Sequence, residues 1–140
     1  MSYLLDTNVI SALMLSEPDQ AVVAWLDGQA SESLWTTSIT AYEVRFGLEI
    51  LSAGTRRSRL TSAFEAMLGE DLADRVLELN TSAANEAAVL AATLRHQGRS
   101  IEIRDAMICG IALARRATVA TRNVRHFELA PIPVVNPWDQ

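Results

Sequence analysis

Five short β-prone runs recur along the chain, and helical patterns fill most of the intervals between them. The runs are Leu4-Leu5, Leu34-Trp35-Thr36-Thr37, Val76-Leu77-Glu78-Leu79, Thr118-Val119-Ala120-Thr121 and Pro133-Val134-Val135. Strands that alternate with helices build parallel sheets, because a strand regains its neighbour's direction only through a right-handed crossover. The expectation is an α/β fold with a mostly parallel central sheet of about four to five strands and helices on both faces. A chain of 140 residues with 49% apolar content is long enough to bury a real core, so residues 1–140 read as a single domain.

The helical stretches have recognisable ends. Asn8 to Leu15 carries Val9, Ile10, Leu13 and Met14 at helical spacing before Ser16-Glu17-Pro18 breaks it. A second helix starts at Pro18 or Asp19 and carries Val22, Val23, Trp25 and Leu26, followed by a polar turn over Gly28 to Ser33. Ser38 or Thr40 is expected to cap a helix over Ala41 to Leu51, closed by Gly54. The next helix spans Thr55 to Leu68. Thr81 or Ser82 is expected to cap a long amphipathic helix to His96, whose alanines permit close packing and which ends at Gly98. Ile101 to Arg104 reads as a loop or brief extended piece, and Asp105 as the opening of a buried helix over Ala106 to Ala114. Arg122 to Phe127 reads as a polar turn.

Composition narrows the function. A net charge of −5 argues against nucleic-acid binding by bulk electrostatics, although a local basic patch is compatible with it. All twelve basic residues are arginine, whose planar fork suits phosphate oxygens, though codon bias is the ordinary cause of such usage. The single Cys109 lies in an apolar run, which excludes an internal disulfide and fits a reducing, cytoplasmic setting. No charged leader opens the sequence and no run approaches the roughly 20 apolar residues of a membrane span, so no membrane association is expected.

Three acids share a context that the others lack. Asp6 follows the first strand, Glu43 lies one turn into the helix after the second, and Asp105 begins the helix before the fourth. In a parallel sheet the strand carboxyl ends and the following helix starts converge on one edge, so residues distant in sequence meet there. Taken singly, Asp6 and Asp105 are equally well explained as helix caps, and Glu43 as a solvated acid. Together, three carboxylates would repel unless a cation neutralised them. Oxygen donors without a His or Cys cluster suit Mg²⁺, with Mn²⁺ as the alternative, rather than Zn²⁺. At the same edge Asn123 offers an amide to a water, while Arg104, Arg122 and Arg125 offer forks to phosphate oxygens. His126 reads as a surface histidine with proton donation as its functional alternative, and His96 as a helix C-terminal residue in a favourable dipole position.

These residues resemble a known family, the PIN-domain ribonucleases, in particular the VapC and FitB toxins of bacterial toxin–antitoxin pairs. Asp6-Thr7-Asn8-Val9-Ile10-Ser11 is similar to the family's opening motif, and Thr40-Ala41-Tyr42-Glu43-Val44-Arg45-Phe46-Gly47 to its second. Arg104-Asp105-Ala106-Met107-Ile108 resembles the third, Val119-Ala120-Thr121-Arg122-Asn123 the fourth, and Val135-Asn136-Pro137-Trp138 the ending of the FitB branch. One departure is that many relatives carry an aspartate where this chain has Asn123, which bears on metal number more than on activity. The resemblance implies a three-layer α/β/α PIN fold and the toxin role in a type II system. It further implies Mg²⁺-dependent endoribonuclease activity, a hydrolysis of RNA phosphodiester bonds. On that reading Asp6 and Asp105 hold the ion, Glu43 binds it directly or through water, and Asn123 positions the attacking water. Thr7 and Thr121 aim the carboxylates, and Arg104, Arg122 and Arg125 flank the cleft. A cognate antitoxin and an RNA substrate are the implied partners, with a homodimer and a toxin–antitoxin hetero-oligomer as assemblies. Trp25 and the region of Phe46, Leu48 and Leu51 are candidates for the antitoxin groove or dimer contact, with burial in the core as the alternative.

Two other classes compete. A non-catalytic PIN-like binding module would use the acids to hold a structural metal ion or to cap helices. A haloacid-type hydrolase would carry a second acid two residues after the first, where this chain has Asn8.

Overall fold

A computed structural model describes residues 1–140. Strands β1 (Tyr3–Leu5), β2 (Leu34–Thr37), β3 (Val76–Leu77), β4 (Thr118–Ala120) and β5 (Val134–Val135) form one sheet in the order β3-β2-β1-β4-β5. Every pairing is parallel, with Leu4 opposite Trp35 on one side and opposite Val119 on the other. Helices α1 (Thr7–Leu13), α2 (Gln20–Asp27), α3 (Ser38–Glu49), α4 (Thr55–Ala66), α5 (Thr81–His96) and α6 (Ile103–Arg115) make the connections. The three-layer α/β/α architecture expected from the sequence is the one observed.

The pleat divides the core in two. Leu4 and Val119 point into one cluster with Leu90 and Leu94 of α5 and Ile108, Cys109 and Ile111 of α6. Their neighbours Leu5 and Ala120 point into the other, with Val9 and Ile10 of α1, Val22 and Trp25 of α2, Val44 and Leu48 of α3 and Phe64 of α4. Successive strand residues face opposite sides, so a strand buried on both must be apolar throughout, which explains its unbroken run. The alanines of α5 permit close packing, as expected: a methyl group at Gly110 of α6 would collide with the Ala83 carbonyl and the Ala87 side chain. Gly98, at φ 72°, ends α5 in the left-handed region where a side chain is costly.

Several element starts differ from those expected. Helix α3 begins at Ser38 rather than Ala41, because Thr37 is the cap and accepts from the Thr40 N–H at 3.0 Å. Ser38 and Thr40, the expected caps, lie inside the helix. Asn80, not Thr81 or Ser82, caps α5 through the Ala83 N–H at 2.9 Å. Helix α6 begins at Ile103, so Asp105 sits in its first turn and caps nothing. After α4 the chain continues into a π-helical turn over Met67–Asp71, and the third strand ends at Leu77. No helix is long and apolar enough to cross a membrane.

Candidate active site

Asp6 stands one residue beyond β1, extended at φ −75° and ψ 168°, and its side chain caps α1. Its N–H donates to the Ala120 carbonyl at 3.0 Å, which locks it to the end of β4. The residue is only 9% exposed, and both carboxylate oxygens are engaged: Oδ1 accepts from the Thr7 N–H at 2.9 Å and Oδ2 from the Thr121 hydroxyl at 2.8 Å. The Thr121 oxygen in turn accepts from the Asn8 amide at 3.2 Å and the Asn123 N–H at 3.0 Å. One donor and two lone pairs are all that a hydroxyl has, so Thr121 is saturated. Asn8 closes the arrangement by accepting the Arg122 N–H at 3.0 Å. The capping account of Asp6 is therefore correct as far as it goes, yet only one of its two oxygens serves the helix.

The second group of residues is organised by charge. One turn into α3, Glu43 accepts from the Thr7 hydroxyl at 3.1 Å through Oε1, while Oε2 pairs with the Arg104 guanidinium. Arg104 also holds Glu102, the residue before α6, with Nε donating at 2.9 Å. The bond to Glu102 and the charges of Glu43 and Glu102 raise the guanidinium's pKa above its usual value. In the first turn of α6 the Asp105 side chain is 17% exposed. Burial pushes its carboxyl up to about 6. His126 and Arg104 oppose that rise, the His126 Nδ1 lying 3.7 Å from Asp105 Oδ2, while the charges of Glu102 and Asp6 add to it. Cys109, one turn further along the buried face of α6, is pushed up to about 12 mainly by burial, so it is an inert thiol.

The structure thus brings Asp6, Glu43 and Asp105 to one edge, but no three of the chain's acidic, imidazole or thiol side chains form a ready-made ion-binding group. Asn123 is exposed, and its carboxamide caps nothing. Arg104 is the one predicted phosphate-binding arginine that touches the acids. Arg122 lies over the Trp138 ring at 4.9 Å, and Arg125 is exposed on the same short helical turn as His126. Asn8 and Glu102 belong to the site although the sequence does not single them out. An asparagine two residues after the first acid is the available signal for Asn8; nothing local marks Glu102. Of the surface candidates, Trp25 is buried edge-on against Tyr3 and Leu48 is buried, whereas Phe46 is exposed and stacked with Tyr42. A groove of about 320 Å³ runs from Thr7 and Glu43 past Gly47 and Leu51 to Arg56. A larger one, about 600 Å³, is lined by none of Asp6, Glu43, Asp105 or Asn123.

The chain has counterparts among known proteins. The profile of the PIN domain matches residues 3–131. The chain is 42% identical over 135 residues to the VapC ribonuclease Y4jK of Sinorhizobium fredii, covering 96% of each. It is 34% identical over 135 residues to Toxin FitB of Neisseria gonorrhoeae, covering 96% of this chain and 97% of that one. The crystal structure of FitAcB from Neisseria gonorrhoeae superposes with a TM-score of 0.89 at 33% identity, covering 99% of both chains. With the family profile spanning most of its length and relatives above 30% identity matched end to end, the chain belongs to the PIN-domain family.

Proposed function

We propose that this protein is the toxin of a type II toxin–antitoxin pair, an endoribonuclease that hydrolyses RNA phosphodiester bonds with a divalent cation. The observation that carries the reading is the meeting of Asp6, both of whose oxygens accept hydrogen bonds, with a half-buried, charge-crowded Asp105 at the same sheet edge. Its relatives of that length include a VapC ribonuclease and Toxin FitB, which supports the same activity here.

The donors suit a hard cation. Burial and the neighbouring charges of Glu102 and Asp6 raise Asp105, and a cation would relieve that conflict. Mg²⁺ is commonly held by one or two carboxylates plus substrate phosphate rather than by an all-protein cage, which agrees with two aspartates as its principal holders. Asp6 and Asp105 would hold the ion, Glu43 would join them directly or through water, and Mn²⁺ is the alternative to Mg²⁺. When bound, the ion would offset charge growing on the phosphate and acidify the attacking water. Thr121 and the Thr7 N–H keep Asp6 aimed, while the Thr7 hydroxyl orients Glu43. Asn123, with its carboxamide free of capping duty, positions the water. Arg104, Arg122 and Arg125 hold phosphate oxygens, supplying local positive charge to an acidic chain. A cognate antitoxin would hold the toxin inactive.

The Arg104 pairing with Glu43 is the observation that favours a second reading, a binding module whose acids are structural. Cleavage of single-stranded RNA with Mg²⁺, lost on chelation and in both Asp6→Asn and Asp105→Asn with unchanged circular dichroism, would support the nuclease. Full cleavage by either variant would reject the assignment of these two aspartates to the ion.

A further inference from the structure

Glu43 already has a cation. The Arg104 guanidinium bridges Glu43 on α3 and Glu102 at the start of α6, and its own backbone leads directly into Asp105. Glu43 is held firmly within the chain, with only 17% of its side chain exposed, whereas Arg104 remains 49% exposed. An ion pair open to water on one side is weak and easily exchanged. Glu102 supplies a second tether through Nε, so Arg104 need not leave the cleft when it releases Glu43. A guanidinium and a divalent cation satisfy the same carboxylate oxygen, so they compete for Glu43. Arg122 on Trp138 and Arg125 on its exposed turn do not take part in this competition.

We propose that Arg104 is an internal counter-cation that occupies Glu43 in the ion-free protein and exchanges it for an RNA phosphate when Asp6 and Asp105 take up a divalent cation. The inference rests on the nuclease reading and gives Arg104 two partners in turn, Glu43 without the ion and an RNA phosphate with it. Because coupling is reciprocal, phosphate capture by Arg104 frees Glu43 for the ion, and ion binding frees Arg104 for phosphate. The protein would thus hold its acids neutralised when idle and complete its ion site in concert with substrate.

The test is a thermodynamic cycle on ion affinity, with no cleavage involved. Mn²⁺ is titrated by calorimetry into the wild type, Arg104→Ala, Glu43→Gln and the double variant, each checked by circular dichroism. Arg104→Ala is expected to bind Mn²⁺ about fivefold more tightly than wild type, and to change nothing once Glu43 is Gln. Where Glu43→Gln binds too weakly for calorimetry, the electron paramagnetic resonance signal of free Mn²⁺ reads its affinity and that of the double variant. An equal gain in both backgrounds would mean that Arg104 merely repels the ion through space, and would overturn the proposal, as would no gain in either. Absence of Mn²⁺ binding by wild type and Arg104→Ala alike would instead overturn the ion site on which the nuclease reading rests.

Discussion

The two aspartates at the sheet edge are built on opposite plans. Asp6 is a carboxylate whose oxygens are bonded by Thr7 and Thr121, with Asn8 and Thr121 cross-braced behind it. Asp105 has no such bonds; it is pressed between burial and its neighbours' negative charge, and is partly relieved by a histidine 3.7 Å away. One is held in place by hydrogen bonds that the fold supplies, and the other is disfavoured as an anion by burial in the same fold. Residues of one proposed task can thus stand in opposite relation to stability, since made hydrogen bonds hold a fold together and desolvation of a charge works against it.

The largest effect treats the two alike. Asp6→Asn and Asp105→Asn should each lower RNA cleavage by about a thousandfold or more, measured in single-turnover assays, because each removes charge where the transition state needs it. Stability should then separate them. Asp6→Asn leaves an amide that cannot accept from both Thr7 and Thr121, and Thr121→Val strips the hydroxyl that serves Asp6, Asn8 and Asn123. Each should lower unfolding free energy by about 2 kcal/mol in urea titrations. Asp105→Asn should do the reverse and stabilise the ion-free chain by about 1 to 2 kcal/mol at pH 7.

The pH dependence carries the same sign. The folded chain binds the Asp105 proton more tightly than the unfolded chain, whose carboxyl has the ordinary value of 3.8 against about 6 when folded. Its contribution is fully present below pH 3.8 and is lost as pH rises through 6. The stability difference between Asp105→Asn and wild type should therefore widen across that window, and a flat difference would break the contrast with Asp6. Saturating Mg²⁺ should narrow it at neutral pH, because an ion bound to the folded state alone offsets the penalty. The smallest effect should come from the outlying arginines. Arg125→Ala should raise KM for RNA by about threefold at low salt and less at high salt, with kcat unchanged.

Much of the architecture was readable because unbroken β-prone runs and helical spacing record burial directly. The two central strands are the clearest instance: Leu4 and Leu5 serve opposite cores, as do Val119 and Ala120, so all four positions must be apolar. Helix starts were less readable. Thr37, Ser38 and Thr40 have similar capping chemistry, and Asn80, Thr81 and Ser82 likewise, so tertiary placement decides among them. Helix α6 begins early because Glu102 is the last extended residue, although Ile101 to Arg104 looks strand-like in composition. In the site, the three acids were visible as residues that follow or precede strands. Their supports were not: Asn8 meets Thr121, 113 residues away, and Arg104 meets Glu43, 61 residues away, and neither pairing has any local signature.

Strand β4 lies beside β1 in the middle of the sheet, although it is nearly the last strand to be synthesised. A chain still on the ribosome that ends before Thr118 lacks both the carbonyl that fixes Asp6 and the hydroxyl that aims it. In such a fragment Asp6 has no fixed aim, and the edge is completed only once Thr121 has been added.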